Sequence, residues 1–194
     1  MRRLMLGLGL ALMLGTAAAA AGKFPDVRDT SMVDAGGSRV LQLAIDLNAP
    51  PKAVWDAFFD GPTVLRWAAR LAVIDARQGG TMEESYSAGA RPGDPENIRH
   101  AIIAYVPGQM AVFHNTNAPS MLPGRAFYNR VVSVLQVQDL GGGRSRLVLS
   151  QTGYAPGPEF DRLYAFFGED NAELMESLKA ALERPDGKLH DLVR

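Results

Sequence analysis

Apolar and polar residues alternate along residues 39–48. Leu41, Leu43, Ile45 and Leu47 fall on one side, and Gln42, Ala44 and Asp46 on the other. A repeat of two over this length predicts a strand with one buried face. Asn48-Ala49-Pro50-Pro51 follows, and proline is accommodated in a first helical turn. Val54, Trp55, Phe58 and Phe59 then recur at one-turn spacing, which predicts a helix. Gly61-Pro62 ends it, and Val64 and Trp67, three apart, mark a second short helix over 63–69. Further strands are predicted at 73–77 and 81–86 around Gly79-Gly80, at 97–106 and 109–115 around Pro107-Gly108, and at 128–139 and 144–154 around Gly141-Gly142-Gly143. Residues 88–96 and 116–124 carry the glycines and prolines of loops.

After the corner Ala155-Pro156-Gly157-Pro158 the period changes. Phe160, Leu163, Tyr164, Phe167, Leu174, Leu178 and Ala181 follow three- and four-residue steps when Asn171 fills the gap. Gly168 weakens the middle of this pattern. The alternative is two helices, with Asp170 as N-cap and Glu173 reaching back to it. In either case Asn171 sits on or beside the apolar seam. A strand, two short helices, about six strands in hairpins and a long terminal helix make an α+β layer with a mainly antiparallel sheet. Closure of such a sheet over its last helix can enclose a cavity, with the apolar face of residues 160–182 as one wall.

The first 21 residues stand apart. Arg2 and Arg3 precede an apolar run over 4–14, too short to span a bilayer, and then small residues over 17–21. This is the pattern of a secretory signal peptide, and it predicts a secreted or periplasmic protein. An uncleaved anchor is the alternative, and the alanine run argues against it. The absence of cysteine excludes lipid attachment at a thiol, disulfides and thiolate metal sites, so an exported chain must rely on its core. Cleavage after Ala21 leaves 173 residues, enough for one domain. Residues 22–37 are expected to be an exposed lead-in, 38–184 the domain and 185–194 a polar tail. With Arg2 and Arg3 gone, 18 basic residues face 21 acidic ones, a net charge of −3. No basic patch stands out, so nucleic acid is not an expected partner. No membrane span is expected once the leader is removed.

Taken in order, Asn48-Ala49-Pro50-Pro51-Lys52-Ala53-Val54-Trp55, Leu65-Arg66-Trp67, Gly79-Gly80, 106–113, 141–149 and the closing helix pattern make a succession of motifs. With them the chain resembles the START-like (SRPBCC) superfamily. The resemblance looks closest to the polyketide-cyclase-like and heat-shock-ATPase-activator-homologue branches and covers roughly residues 38–184. It implies a helix-grip fold, in which a curved antiparallel sheet wraps around a long C-terminal helix after two short helices follow the first strand. A cavity between sheet and helix would take a small hydrophobic or amphipathic molecule. Activities in the superfamily range over lipid carriage, cyclisation, hydrolysis and chaperone contact, so fold does not decide function. A leader peptide is at odds with a cytosolic chaperone role.

Candidate ligand contacts follow from that expected cavity. His114 ends a strand in phase with Met110 and Val112. If that face is inward, it stands at the cavity mouth as an acid or base; otherwise it bonds to a loop. His100, in phase with Ile98 and Ile102, raises the same question, and His190 lies in the tail. Glu84 is in phase with Met82 and Tyr86, but Glu83 is adjacent, so one of the two carboxylates faces water whatever the pleat. Gln151, in phase with Leu147 and Leu149, and Asn171 are candidate polar anchors. Trp67, Tyr86, Phe113, Tyr164 and Phe167 are candidate apolar contacts, and ordinary core packing explains each as well. No zinc-type histidine pair, nucleophile elbow or phosphate-cradling glycine motif occurs, so neither metal nor cofactor is expected. The leading reading is a binding protein. A cyclase- or hydrolase-type enzyme using the same cavity, and an interaction module with a filled core, are the alternatives.

Overall fold

The computed structural model describes residues 23–184; the leader and most of the tail lie outside the described residues. Nine strands form one antiparallel sheet among these residues: β1 (Arg28–Asp29), β2 (Met32–Val33), β3 (Arg39–Leu47), β4 (Leu71–Ile74), β5 (Thr81–Ser85), β6 (Ile98–Val106), β7 (Met110–Asn117), β8 (Val132–Gly141) and β9 (Arg144–Tyr154). Their spatial order is β1-β3-β9-β8-β7-β6-β5-β4, with β2 also on β3. The alternation read from β3 is realised: Leu41, Leu43, Ile45 and Leu47 are each 2% exposed or less. Register shifts in β3, β6 and β8 interrupt the ladders, and such bulges bend and twist a strand. The curved sheet grips the last helix, the helix-grip architecture.

Helix α1 (Pro51–Phe59) begins with a proline in its first turn and buries Val54, Trp55, Ala57 and Phe59. Helix α2 (Gly61–Trp67) is capped by Asp60, whose carboxylate accepts from the Thr63 amide at 3.1 Å. Helix α3 (Pro158–Leu182) is a single 25-residue helix, so the two-helix alternative does not hold. Asp170 lies inside it rather than at a start. Leu163, Ala172, Met175 and Leu178 are at most 1% exposed on the sheet-facing side, and this burial carries the helix through Gly168.

Two expectations change. The lead-in is not simply exposed. Arg28 and Asp29 pair with Ala44 and Leu43 of β3, and Phe24 and Val27 enter the core at 8% and 6% exposure. Two apolar residues beside a free strand edge are enough to dock the segment. Residues 128–130 also do not begin a strand, because Arg125–Arg130 form a 3-10 turn before β8. Two glycines make that turn possible. Gly124, at φ +68°, leads into it; a Cβ there would sit 2.8 Å from the Glu159 carbonyl oxygen of α3. Gly153, at φ +96°, lies in β9; a Cβ there would sit 2.1 Å from the Arg130 carbonyl oxygen. Only glycine allows both the backbone angle and the approach.

Candidate functional site: an open cavity between sheet and helix

A cavity of about 340 Å³ lies between the sheet and the middle of α3. α1 contributes Phe58 and Phe59, and α3 contributes Phe166, Phe167, Asp170, Asn171 and Leu174. Consecutive strands of the sheet add Met82 and Glu84, Ile98 and His100, Phe113 and Asn115, Ser133 and Leu135, then Leu149 and Gln151. Each pair is two residues apart, the spacing of one strand face. Tyr86 follows β5, Tyr128 reaches in from the 3-10 turn, and Pro119, Met121, Leu122 and Pro123 of the 116–124 loop edge the opening. The terminal helix is thus a cavity wall only over 166–174; Phe160, Leu163 and Leu178 are packed core.

Six of the nine candidate contacts line this space: Glu84, Tyr86, Phe113, Gln151, Phe167 and Asn171. Three do not. Trp67 is 2% exposed in the core, where its Nε1 donates to the Ala57 carbonyl at 2.9 Å and its ring meets Phe58 edge-on. Tyr164 packs edge-on against Tyr154 at 5.1 Å beneath the Arg39 guanidinium. His114 is on the wrong face of β7. Ala111, Phe113 and Asn115 point inward, so Met110, Val112 and His114 point outward. His114 and Phe113, being neighbours on one strand, cannot both enter.

The Glu83–Glu84 pair is resolved by its partners. Glu83 turns outward to Arg99 at 3.2 Å, Asn97 Nδ2 at 2.8 Å and the Gly93 amide at 2.8 Å. Glu84 turns inward and makes no hydrogen bond or ion pair among the described residues. Desolvation with nothing to offset it pushes the Glu84 carboxyl up to about 7. Asp170, exposed at the cavity edge on the helix across from it, is also raised, by partial loss of solvent and by the charge of Glu173.

Gln151 and Asn171 are committed elsewhere. Gln151 Oε1 accepts from Tyr154 Oη at 2.9 Å and Asn171 Nδ2 at 3.1 Å, while its Nε2 donates to Ser133 Oγ at 3.2 Å. This buried network ties β8, β9 and α3 together, so the polar interruption of the helix seam is a structural bridge. The uncommitted polar atoms are others. Tyr128 is 5% exposed, and its hydroxyl has no hydrogen-bond partner. His100 Nδ1 is shut off from solvent without a partner, and burial holds the imidazole down to about 4, partly offset by Asn115. The His100 ring stands edge-on to Phe113 at 5.3 Å. Sequence reasoning raised His100 without deciding it, and did not reach Tyr128, Asp170, Asn115 or Ser133. Asn115 was recoverable as the opposite phase of β7; Tyr128 was hidden by the strand expected at its position. No group of three or more His, Asp or Glu side chains among the described residues is placed to hold a metal, and no described helix is long and apolar enough to cross a membrane.

Residues 48–183 match the family described as Activator of Hsp90 ATPase homolog 1-like protein. The chain belongs to that family. The match covers α1 through α3 and so includes every wall of the cavity. Solved structures agree on the START-like fold. CalU16 from Micromonospora echinospora is 16% identical, with a TM-score of 0.57 over 82% of this chain and 88% of that one. The Aha1 dimer from Colwellia psychrerythraea is 15% identical, with a TM-score of 0.57 over 76% of this chain and 98% of that one. Protein MLL2253 from Mesorhizobium loti is 17% identical, with a TM-score of 0.57 over 75% and 98%. No curated protein matches the sequence. At these identities the family member shares its fold with the solved structures, and its function has to be argued from its own cavity.

Proposed function

We propose that this chain is an exported START-like binding protein that encloses a small apolar or amphipathic molecule between its sheet and α3. The observation that carries the reading is the open cavity of about 340 Å³, walled largely by Phe, Leu, Ile and Met side chains and holding polar atoms that no protein group satisfies. A space of this size and lining is suited to a small ligand, whose apolar body gains about 25 cal/mol per Å² removed from water before ordering costs. The basic, apolar and small-residue succession of residues 1–21 supports export to the periplasm or beyond.

Native mass spectrometry of the protein purified from its own source tests this. A discrete added mass that denaturation releases is expected. A ligand-free chain that also fails to take up an environment-sensitive apolar dye would end the proposal.

An acid–base enzyme of cyclase or hydrolase type is the second reading, favoured by a Glu84 carboxyl held near neutral pH beside a free tyrosine hydroxyl. Recovery of a chemically altered ligand would select it over carriage. An interaction module requires a filled interior, and the cavity counts against it.

A further inference from the structure

The charge of the cavity wall is one-sided. Among the described residues, two carboxyl groups line it, from β5 (Glu84) and α3 (Asp170), and neither makes a hydrogen bond or ion pair; no lysine or arginine lines it. Several acidic side chains elsewhere in the fold do have cationic partners: Glu83 has Arg99, Asp46 has Arg28 and Arg146, and Asp161 has Arg39. Glu84 on the cavity wall and Asp170 at its exposed edge are left without the counter-charge that Glu83 receives.

The remaining uncommitted atoms have matching chemistry. Tyr128 Oη, on a residue 5% exposed, and His100 Nδ1 have no partner, and both can accept a hydrogen bond. The charges of Glu84 and Asp170 both act on Tyr86, and that of Glu84 acts on Tyr128, so these groups form one electrostatic cluster. Around it stand the faces and edges of Phe58, Phe59, Phe113, Phe166 and Phe167. A protonated amine supplies what such a site lacks: a positive charge, several N–H donors, and attraction to aromatic faces. A carboxylate or phosphate head would meet two acids and no cation.

We infer that the cavity selects lipophilic amines, with the ammonium group held by Glu84 and Tyr128 and the apolar body lying among the phenylalanines. This inference rests on the ligand-binding reading above and narrows its ligand class.

The titratable groups facing Glu84 are Tyr86 from just beyond its own strand, His100 from β6, Tyr128 from the 3-10 turn and Asp170 from α3; α1 presents only Phe58 and Phe59. His100 titrates at about 4 and both phenols are pushed up, Tyr128 by burial and Tyr86, half-exposed at the rim, by lost solvation and the charges of Glu84 and Asp170, which leaves Glu84, at about 7, and Asp170 to set the pH response. Below its own pKa Glu84 must lose a proton to receive an ammonium ion. Amine affinity then rises with pH by about tenfold per unit and levels off above about 7.

The test is calorimetric titration of the full mature chain with decylamine, 1-decanol and decanoate, which share one tail, at pH 5.5, 6.5 and 7.5. Decylamine is expected to bind about tenfold or more tighter than 1-decanol at pH 7.5, with decanoate weakest, and its advantage is expected to shrink at pH 5.5. Glu84→Gln should abolish the amine's advantage over 1-decanol at pH 7.5 and its pH dependence, and a melting curve verifies that the variant is folded. Asp170→Asn separates the contribution of the second acid and should retain most of the preference. Binding of 1-decanol or decanoate as tight as that of decylamine would overturn the amine assignment and leave the cavity reading intact. An amine preference that survives Glu84→Gln would overturn the role of Glu84. If none of the three binds, the cavity reading fails, and this inference with it.

Discussion

Replacing Glu84 by glutamine should stabilise the protein at neutral and alkaline pH and do almost nothing at low pH. In the folded state the carboxyl is held at about 7 against an ordinary value of 4.5. That displacement corresponds to about 3 kcal/mol, and access of water to the open cavity reduces it to about 2–3 kcal/mol. The sign follows from proton uptake. Between about pH 4.5 and 7 the folded protein holds a proton on Glu84 that the unfolded chain has lost, so stability falls as pH rises, and above about 7 the full penalty remains. His100 acts oppositely. Its folded value is about 4 against 6.5, so its contribution is complete above about 6.5 and is lost as pH falls towards 4. In the wild type the two slopes nearly cancel between about pH 4.5 and 6.5. In Glu84→Gln the His100 slope is unmasked, and stability should climb by about 2–3 kcal/mol across that range. Urea unfolding of both proteins at pH 4.5, 6 and 8 measures it. The stability gap should be near zero at pH 4.5 and reach about 2–3 kcal/mol at pH 8, equivalent to about 5–10 °C in Tm. Any steric cost of glutamine is independent of pH and cancels in the change of the gap. A gap of equal size at every pH would refute the argument that Glu84 is buried without a partner.

Three further outcomes follow from the geometry. Gly153→Ala forces a Cβ to within 2.1 Å of the Arg130 carbonyl oxygen at φ +96°, so chemical denaturation should show a loss of at least about 2–3 kcal/mol. Tyr128→Phe removes a buried hydroxyl that has no partner, so the ligand-free protein should lose nothing and gain up to about 1 kcal/mol, in contrast to a hydrogen-bonded tyrosine; unfolding curves decide it. Gln151→Leu strands the Tyr154 hydroxyl, the Asn171 amide and Ser133 and should cost about 2–3 kcal/mol, with amide exchange accelerating in β8, β9 and the middle of α3.

The legible part of the fold was the part set by local periodicity. The β3 alternation, the hairpins at Gly79-Gly80 and Gly141–Gly143 and the seam of α3 each depend on residues close in sequence. The candidate site was less legible because it depends on parity. Glu83 or Glu84, and Phe113 or His114, are choices between the two faces of a strand, and no residue within either pair reveals which face meets the helix. Arg99 and Asn97 decide the first choice from a neighbouring strand and loop. Trp67 and Tyr164 have the composition of pocket residues but lie in the core, since apolar packing and apolar ligand binding draw on the same side chains. Asn171 was visible as an anomaly in an apolar seam, but its partner, Gln151, lies 20 residues earlier on another element. The expected export leader lies outside the described residues and stands on composition alone.

Gly124 and Gly153 clamp the 3-10 turn from two sides, one against α3 and the other against β9. The depth at which Tyr128 enters the cavity is therefore fixed by main chain touching main chain. The loop at the rim is held by side-chain contacts instead, Ser120 on Glu96 and Arg125 on the Ala118 carbonyl, and Met121 is 87% exposed at its tip. If the cavity binds a ligand as proposed, substitutions at residues 119–123 would widen or narrow the entrance, and so change which tails are admitted and how fast they leave, without moving the Tyr128 hydroxyl. Entry and recognition would then be independently adjustable parts of one pocket.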